Sequence, residues 1–349
     1  MTKSISLRQR VYTALSGGKP DQIPFTIYES KFPQCAAERE LRTRGMCIVR
    51  RNIPVFCTRY PNVRFSKYTY YDNGKTFTRA EYKTPYGDFH CIQEDVGFTA
   101  WTHKRLFTCP EDYKRLLFLI NGMTFSPNYA AFKAAEDADG GDSFFRGAIG
   151  REPMQEIILG YMGIETFCME WYERQDEILK LYEALAAKHR QIYPLYAESP
   201  ALALNYGGNI MAELLGRERF EKYYDPHYEE AADVLHKKGK LIGVHFDGNC
   251  KTIADIIVAT SLDYIEAFTP SPDTDMTLEE ARDAWPDKLL WINFPSSVHL
   301  ESHEIIMQTT RDLIRQARYP ERFIMGITED IPEDRWQGNL LAIQSGVLE

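Results

Sequence analysis

The sequence predicts an α/β fold, a single (β/α)8 TIM barrel over residues 1–349 with a small amino-terminal β-meander inserted at 64–102. Three observations carry this expectation. A chain of 349 residues is long for one domain, yet α/β barrels occupy this range as one unit. Through the second half, short apolar runs rich in β-branched and aromatic residues alternate with longer stretches of helical period, the rhythm of repeated strand–helix units. The stretch 64–102 breaks that rhythm: Tyr, Thr and Phe are dense and no helical period appears.

Taken in order, strands are expected at 23–28, 144–149, 201–206, 241–246, 264–268, 289–294 and 323–327, with 53–58 as the candidate for the eighth. Helices lie between them. At 175–190 the apolar residues Ile178, Leu179, Leu181, Leu185 and Ala186 recur at helical spacing. At 227–238 a helix is opened by Asp225-Pro226, because proline suits a first turn whose N–H has no partner anyway. In the meander, Asp72-Asn73-Gly74 and Pro85-Tyr86-Gly87 supply the turns. The Asp- and Gly-rich segment 137–142 reads as a flexible connector.

Composition narrows the function. A net charge of -9 disfavours nucleic acid and anionic membranes as partners, whose phosphates would be repelled before any specific contact formed. The seven cysteines are scattered singly, without the close pairs of zinc ribbons or redox dithiols. They read as packing residues in a reducing, cytoplasmic protein. No apolar run approaches the roughly 18 residues of a membrane span, and the first ten residues lack the apolar core of a secretion signal.

In a barrel of this kind reactive groups sit at the carboxyl ends of the strands, so the informative residues are polar ones that close apolar runs. His245-Phe246-Asp247 closes one run, Glu266 the next, Glu329-Asp330 the last, and Tyr28-Glu29 the first. Histidine and aspartate two apart share one side of a strand. Imidazole and carboxylates converging on one mouth suit a divalent metal such as zinc. The structural alternative stays open: a strand-end histidine also serves as a hydrogen-bonded framework residue, and carboxylates there also cap the next helix. Tyr28, Tyr206, Asn209, Phe246 and Phe268 fall at or just past strand ends and are candidates for a partly aromatic substrate chamber, with core packing the competing role for each aromatic.

Several segments carry a family resemblance. Residues 6–15, followed by Gly18-Lys19-Pro20-Asp21-Gln22-Ile23-Pro24, resemble the opening of the uroporphyrinogen decarboxylase superfamily, a helix and then a Pro-Asp-Arg-Ile-Pro type of turn into the first strand. Thr84-Pro85-Tyr86-Gly87 resembles the Thr-Pro-x-Gly turn of its methyltransferase-like branches. The segment 147–153 with Leu159-Gly160-Tyr161-Met162-Gly163 is similar to the family's Gly-Pro segment and following helix. His245-Phe246-Asp247-Gly248 and the loop 270–275 resemble the strand-end histidine motif and the loop one strand later.

The resemblance implies a barrel, and one of two chemistries: metal-free decarboxylation, or zinc-dependent methyl transfer to or from a corrinoid protein. Two departures favour the second. After the first strand the chain has Tyr28-Glu29-Ser30-Lys31-Phe32-Pro33 in place of the arginine-rich decarboxylase segment. A substrate with many carboxylates would also meet Glu29 and an acidic protein. The thiol-methylating branch binds zinc through a histidine and two cysteines; aligned on His245 the first cysteine position holds Asp247, and aligned on Gly326 and Asn339 the second holds Glu329. Oxygen ligands leave a zinc more electrophilic than thiolates do, suited to polarising an ether oxygen.

The expectation is therefore the first half-reaction of an O-demethylase of anaerobic metabolism, taking methyl from a methoxylated, aromatic donor to a corrinoid (cobalamin-type) cofactor held by a partner protein. His245, Glu266 and Glu329 are the expected zinc ligands, Asp247 and Glu230 the reserves, and His245 with Asp247 the catalytic pair. Self-association is left open. The rivals are a metal-free lyase using His245 and Asp247 as acid and base, and an inactive scaffold that docks a corrinoid protein.

Overall fold

The computed structural model describes residues 5–51, 53–97 and 99–349. The chain divides into two compact units, one of residues 1–55, 129–150 and 196–349, the other of 56–128 and 151–195.

The first unit holds the barrel. Its parallel strands are β1 (Phe25–Tyr28), β2 (Met46–Arg50), β3 in two segments (Ser143–Phe145 and Gly147–Gly150), β4 (Ala203–Tyr206), β5 (Leu241–His245), β6 (Tyr264–Phe268), β7 (Leu289–Asn293) and β8 (Phe323–Ile327). Neighbours in this order pair, and β8 returns to β1 with Phe25 opposite Met325. The two segments of β3 lie at opposite ends of the sheet order and are joined by Arg146 alone, whose backbone N–H donates to the carbonyl of Arg50 at 3.0 Å. The barrel closes through that one residue.

Most strand residues are buried on both faces, as expected when helices cover a parallel sheet and side chains fill its interior. Inside, Val49, Phe144, Ala203, Tyr264, Trp291 and Ile324 pack with Val11, Ala14 and Leu15 of the first helix, Leu7–Leu15, which is capped by the hydroxyl of Ser6 accepting from the N–H of Gln9. Gly243 on β5 is needed for this packing. A Cβ there would lie 2.2 Å from the Tyr264 ring.

One expected strand is misplaced. The eighth barrel strand is Met46–Arg50, whereas Phe56–Arg59, from the expected 53–58, pairs antiparallel with Thr124–Pro127 in a separate two-stranded sheet of the second unit. The run Met46-Cys47-Ile48-Val49 is buried throughout, while Phe56–Arg59 is largely exposed and follows Pro54, which has no N–H to give a barrel ladder.

The insertion forms the expected meander, slightly longer than 64–102: Arg64–Asp72, Lys75–Thr84, Gly87–Val96 and Thr99–Lys104 pair antiparallel in sequence order. Asn73 and Gly74, at φ 47° and 80°, make the two-residue turn that matches strand twist. Among the described residues no helix is long and apolar enough to cross a membrane.

Candidate functional site

Strand β5 delivers His245 at its last position and Asp247 two residues on, with Phe246 turned the other way. Glu329 follows β8. Ligand atoms of these three half-buried residues lie within 4.8 Å of one another, the one such group of at least three His, Cys, Asp or Glu among the described residues. His245 Nε2 stands 3.5 Å from Asp247 Oδ2.

Neighbouring loops fix each member. Asn293, at the end of β7, accepts from the N–H of Thr328 at 2.9 Å and of Glu329 at 3.4 Å, pinning the turn that carries Glu329. Lys31, in the loop after β1, pairs with Asp330 at 2.6 Å. The turn after β4 crosses close over His245. A Cβ on Gly208, at φ 151°, would come within 2.9 Å of the His245 Cβ. Beyond it, Asn209 donates its backbone N–H to the His245 carbonyl at 3.2 Å and its side-chain amide to Asp247 at 3.3 Å.

Behind the histidine, a chain of hydrogen bonds inside the barrel leaves little freedom of protonation. The Tyr264 hydroxyl donates to Asn205 Oδ1 at 2.7 Å, so the Asn205 amide nitrogen faces Glu266 and donates to its Oε2 at 2.7 Å. The same oxygen is 2.8 Å from His245 Nδ1. Tyr28 donates to the other Glu266 oxygen, and Arg146 forms an ion pair with it. Because Glu266 accepts from every side, His245 Nδ1 carries a proton and Nε2 is the atom turned toward Asp247 and Glu329.

Charge follows this geometry. Burial alone would lower the His245 pKa, but the carboxylates of Glu266 and Asp247 outweigh it and raise it to about 9. Burial opposes ionisation of Glu266, yet the Arg146 guanidinium and His245 hold its carboxyl far below the usual range. Burial pushes the Glu329 carboxyl up, with Lys31 and His245 pulling back.

The structure brings His245, Asp247 and Glu329 together and gives Glu266 another position. Glu266 lies within β6 rather than at its end, fully buried, opposite His245 in the strand register, with both oxygens engaged. It backs the histidine, and Asp247 stands beside Glu329 instead. Glu230, on the helix Asp225–His236, is half-buried and outside the group of three.

Of the candidate chamber residues, three face away. Tyr206 packs on Tyr228 at 5.8 Å, Phe246 on Phe220 at 6.1 Å and Phe268 on Trp285 at 5.6 Å, all fully buried against the surrounding helices. Strand alternation sends Tyr206 and Phe246 outward, and the irregularity at Ala267, with φ 58°, turns Phe268 outward although it lies two residues after the inward Glu266, so all three form core and not chamber. Tyr28 points inward to Glu266, and Asn209 is exposed beside Asp247. Residues the sequence reading passed over are Asn205, Tyr264, Arg146, Arg51 and Asn293. For two of them a signal existed: Asn205 and Arg146 are lone polar residues in otherwise apolar strand runs.

No curated protein matches the chain. A methyltransferase from Methanosarcina mazei matches in structure with a TM-score of 0.60 at 10% identity, over 98% of both chains. A pneumococcal exo-beta-D-N-acetylglucosaminidase covers 93% of this chain and 84% of its own at 10% identity, with a TM-score of 0.38. The first likeness is one of fold; the second is too distant to bear on it. The family profile described as uroporphyrinogen decarboxylase (URO-D) matches residues 157–342, more than half of the sequence, and the chain belongs to that family.

Proposed function

We propose that this protein is a zinc-dependent methyltransferase that demethylates a methoxylated donor and passes the methyl group to the cobalt of a corrinoid protein. The observation that carries the reading is the convergence of His245, Asp247 and Glu329 at the barrel mouth with His245 backed by Glu266. The residues fit a zinc ion in three respects. They are nitrogen and oxygen donors of the kinds zinc takes. The 3.5 Å between His245 Nε2 and Asp247 Oδ2 is near the roughly 3.3 Å expected of two donors each about 2 Å from one tetrahedral ion. A carboxylate on the far nitrogen of a ligand histidine is the usual outer support of such sites.

Zinc so held would supply Lewis acidity toward the methoxy oxygen, and a reduced corrinoid on the partner protein would supply the nucleophile that accepts the methyl group. The chain's own residues do the rest. Glu266, held by Arg146, Tyr28 and Asn205, keeps the His245 proton on Nδ1 and its lone pair on the mouth side. Asn209 and Asn293 hold Asp247 and the Glu329 turn in register. Three protein donors leave a position for a substrate oxygen, as catalytic zinc sites do. The methyltransferase activity of the structurally similar archaeal protein agrees with this reading, and aromatic methyl ethers are the first donors to screen. A cytoplasmic location and a corrinoid-protein partner belong to the same proposal.

Elemental analysis of protein purified without chelators tests it. About one zinc per chain is expected, lost in His245→Ala and Glu329→Ala while both variants stay folded by far-ultraviolet circular dichroism, since neither residue belongs to the packed core. Methyl transfer to reduced corrinoid should fall to background in both. Zinc retained in full by both variants would refute the site. A chain that takes up no zinc would instead favour the lyase reading, for which the close His245–Asp247 pair offers an acid and a base.

A further inference from the structure

Two guanidinium groups flank the ring of Tyr28. Arg51, directly after β2, lies over it with Cζ 3.3 Å from the ring centre, and Arg146, between the halves of β3, stands 5.6 Å away. Each has a carboxylate at ion-pair range, Glu266 for Arg146 and Glu29 Oε2, at 3.8 Å, for Arg51 Nε. Their charges are therefore met. Their hydrogen bonding is not: Arg51 Nε, Arg146 Nε and Glu29 Oε2 are all buried without a hydrogen-bond partner among the described residues. The other Glu29 oxygen is committed to the backbone N–H of Arg51 at 3.0 Å. Unpaired buried polar atoms are rare in folded proteins, and two of these, Arg51 Nε and Glu29 Oε2, stand 3.8 Å apart and call for a common partner.

We propose that Glu29 and Arg51, with Arg146 beside them, form a subsite for a neutral hydroxyl group on the methyl donor. This rests on the methyl-ether reading above and narrows it to ethers that carry a free hydroxyl. A hydroxyl offers one donor and two acceptor lone pairs, the complement of one carboxylate oxygen and two guanidinium N–H groups. A carboxylate on the ligand would suit the guanidinium groups but set like charge against Glu29; an ammonium would suit Glu29 and oppose Arg51. The subsite is reachable. Arg51 keeps 29% of its side chain exposed, and Glu29 lines an open cavity of about 540 Å³ together with Arg50, Ile53, Ala138, Asp139 and Phe145. Tyr28 links it to the histidine, its ring under Arg51 and its hydroxyl 3.4 Å from His245 Nδ1.

Calorimetric titration of the full chain with meta-methoxyphenol, meta-dimethoxybenzene and meta-methoxybenzoate tests this without any corrinoid. The phenol is expected to bind about tenfold or more tightly than either comparator. In Glu29→Gln the preference over the dimethoxy probe should shrink, because a glutamine amide can turn a donor toward an ether oxygen. In Arg51→Met it should vanish with zinc content unchanged and the chain still folded. Equal binding of the three probes, tightest binding of the benzoate, no binding of any, or unaltered selectivity in Glu29→Gln would each overturn the inference. Repeating the titration on chelator-treated protein separates the two readings. A preference that stands in a chain unable to bind zinc removes only the metal, and a zinc-loaded chain without the preference removes only the subsite.

Discussion

The two ends of the barrel treat buried cations in opposite ways. At the amino-terminal end, Arg282 donates to the carbonyls of Ala317, Lys288 and Arg322 at 3.1, 2.9 and 2.8 Å, and Lys288 Nζ to those of Thr260 and Leu262 at 2.7 and 2.9 Å. These side chains are spent on the backbone that leads into β6, β7 and β8. Toward the carboxyl-terminal end, Arg146 and Arg51 meet carboxylates and leave their Nε donors without a hydrogen-bond partner among the described residues. A cation saturated by carbonyls fastens loops; a cation with unmet donors keeps capacity for something that arrives.

The contrast can be broken at several points. Arg282→Ala should cost the most stability, about 3 kcal/mol or more, because several buried carbonyls lose their donor together. Urea denaturation measures it, and zinc per folded chain should not change; a loss of zinc would show that the two ends are coupled. Asn205→Leu acts from the other side. Without its amide Glu266 is less well held, and zinc affinity should fall about 10- to 100-fold while the conservative Asn205→Gln recovers part of it.

Smaller in effect is the response to pH. With His245 raised to about 9 in the metal-free chain, zinc has to displace a proton at any lower pH. Apparent affinity should rise about tenfold per pH unit toward pH 9 and then level off. Metal-free stability runs the other way: the contribution from His245 is complete below its ordinary pKa of about 6.5 and is lost as pH rises through about 9. Titration with a competing chelator and denaturation of metal-free protein check the two slopes. Gly208→Ala should be the mildest, costing about 1–3 kcal/mol for its backbone angle and weakening zinc severalfold by pressing on His245; unchanged zinc affinity would mean the turn only covers the histidine.

Much of this was legible in the residues. Buried parallel strands announce themselves as apolar runs, and β1 and β3 through β8 fall where such runs are. The eighth strand was misread because 53–58 looks apolar, whereas Pro54 and exposure exclude it and the shorter Met46-Cys47-Ile48-Val49 fills the place. Period-two alternation, applied to His245-Phe246-Asp247, already sends Phe246 to the side opposite its neighbours. The role of Glu266 was hidden because it depends on cross-strand register: only pairing places it opposite His245 and within reach of Arg146, which is remote in sequence.

Arg146 is the residue through which the sheet becomes a ring, and its side chain is also the counter-ion of Glu266. Architecture and electrostatics therefore share one position, and that sharing constrains what descendants of this chain can become. Replacing the Glu266 carboxylate by a neutral group, as a shift to different chemistry would require, strands a guanidinium at the seam of the barrel. Such a change is viable only when position 146 changes with it, so the two should be exchanged as a pair in proteins that share this seam.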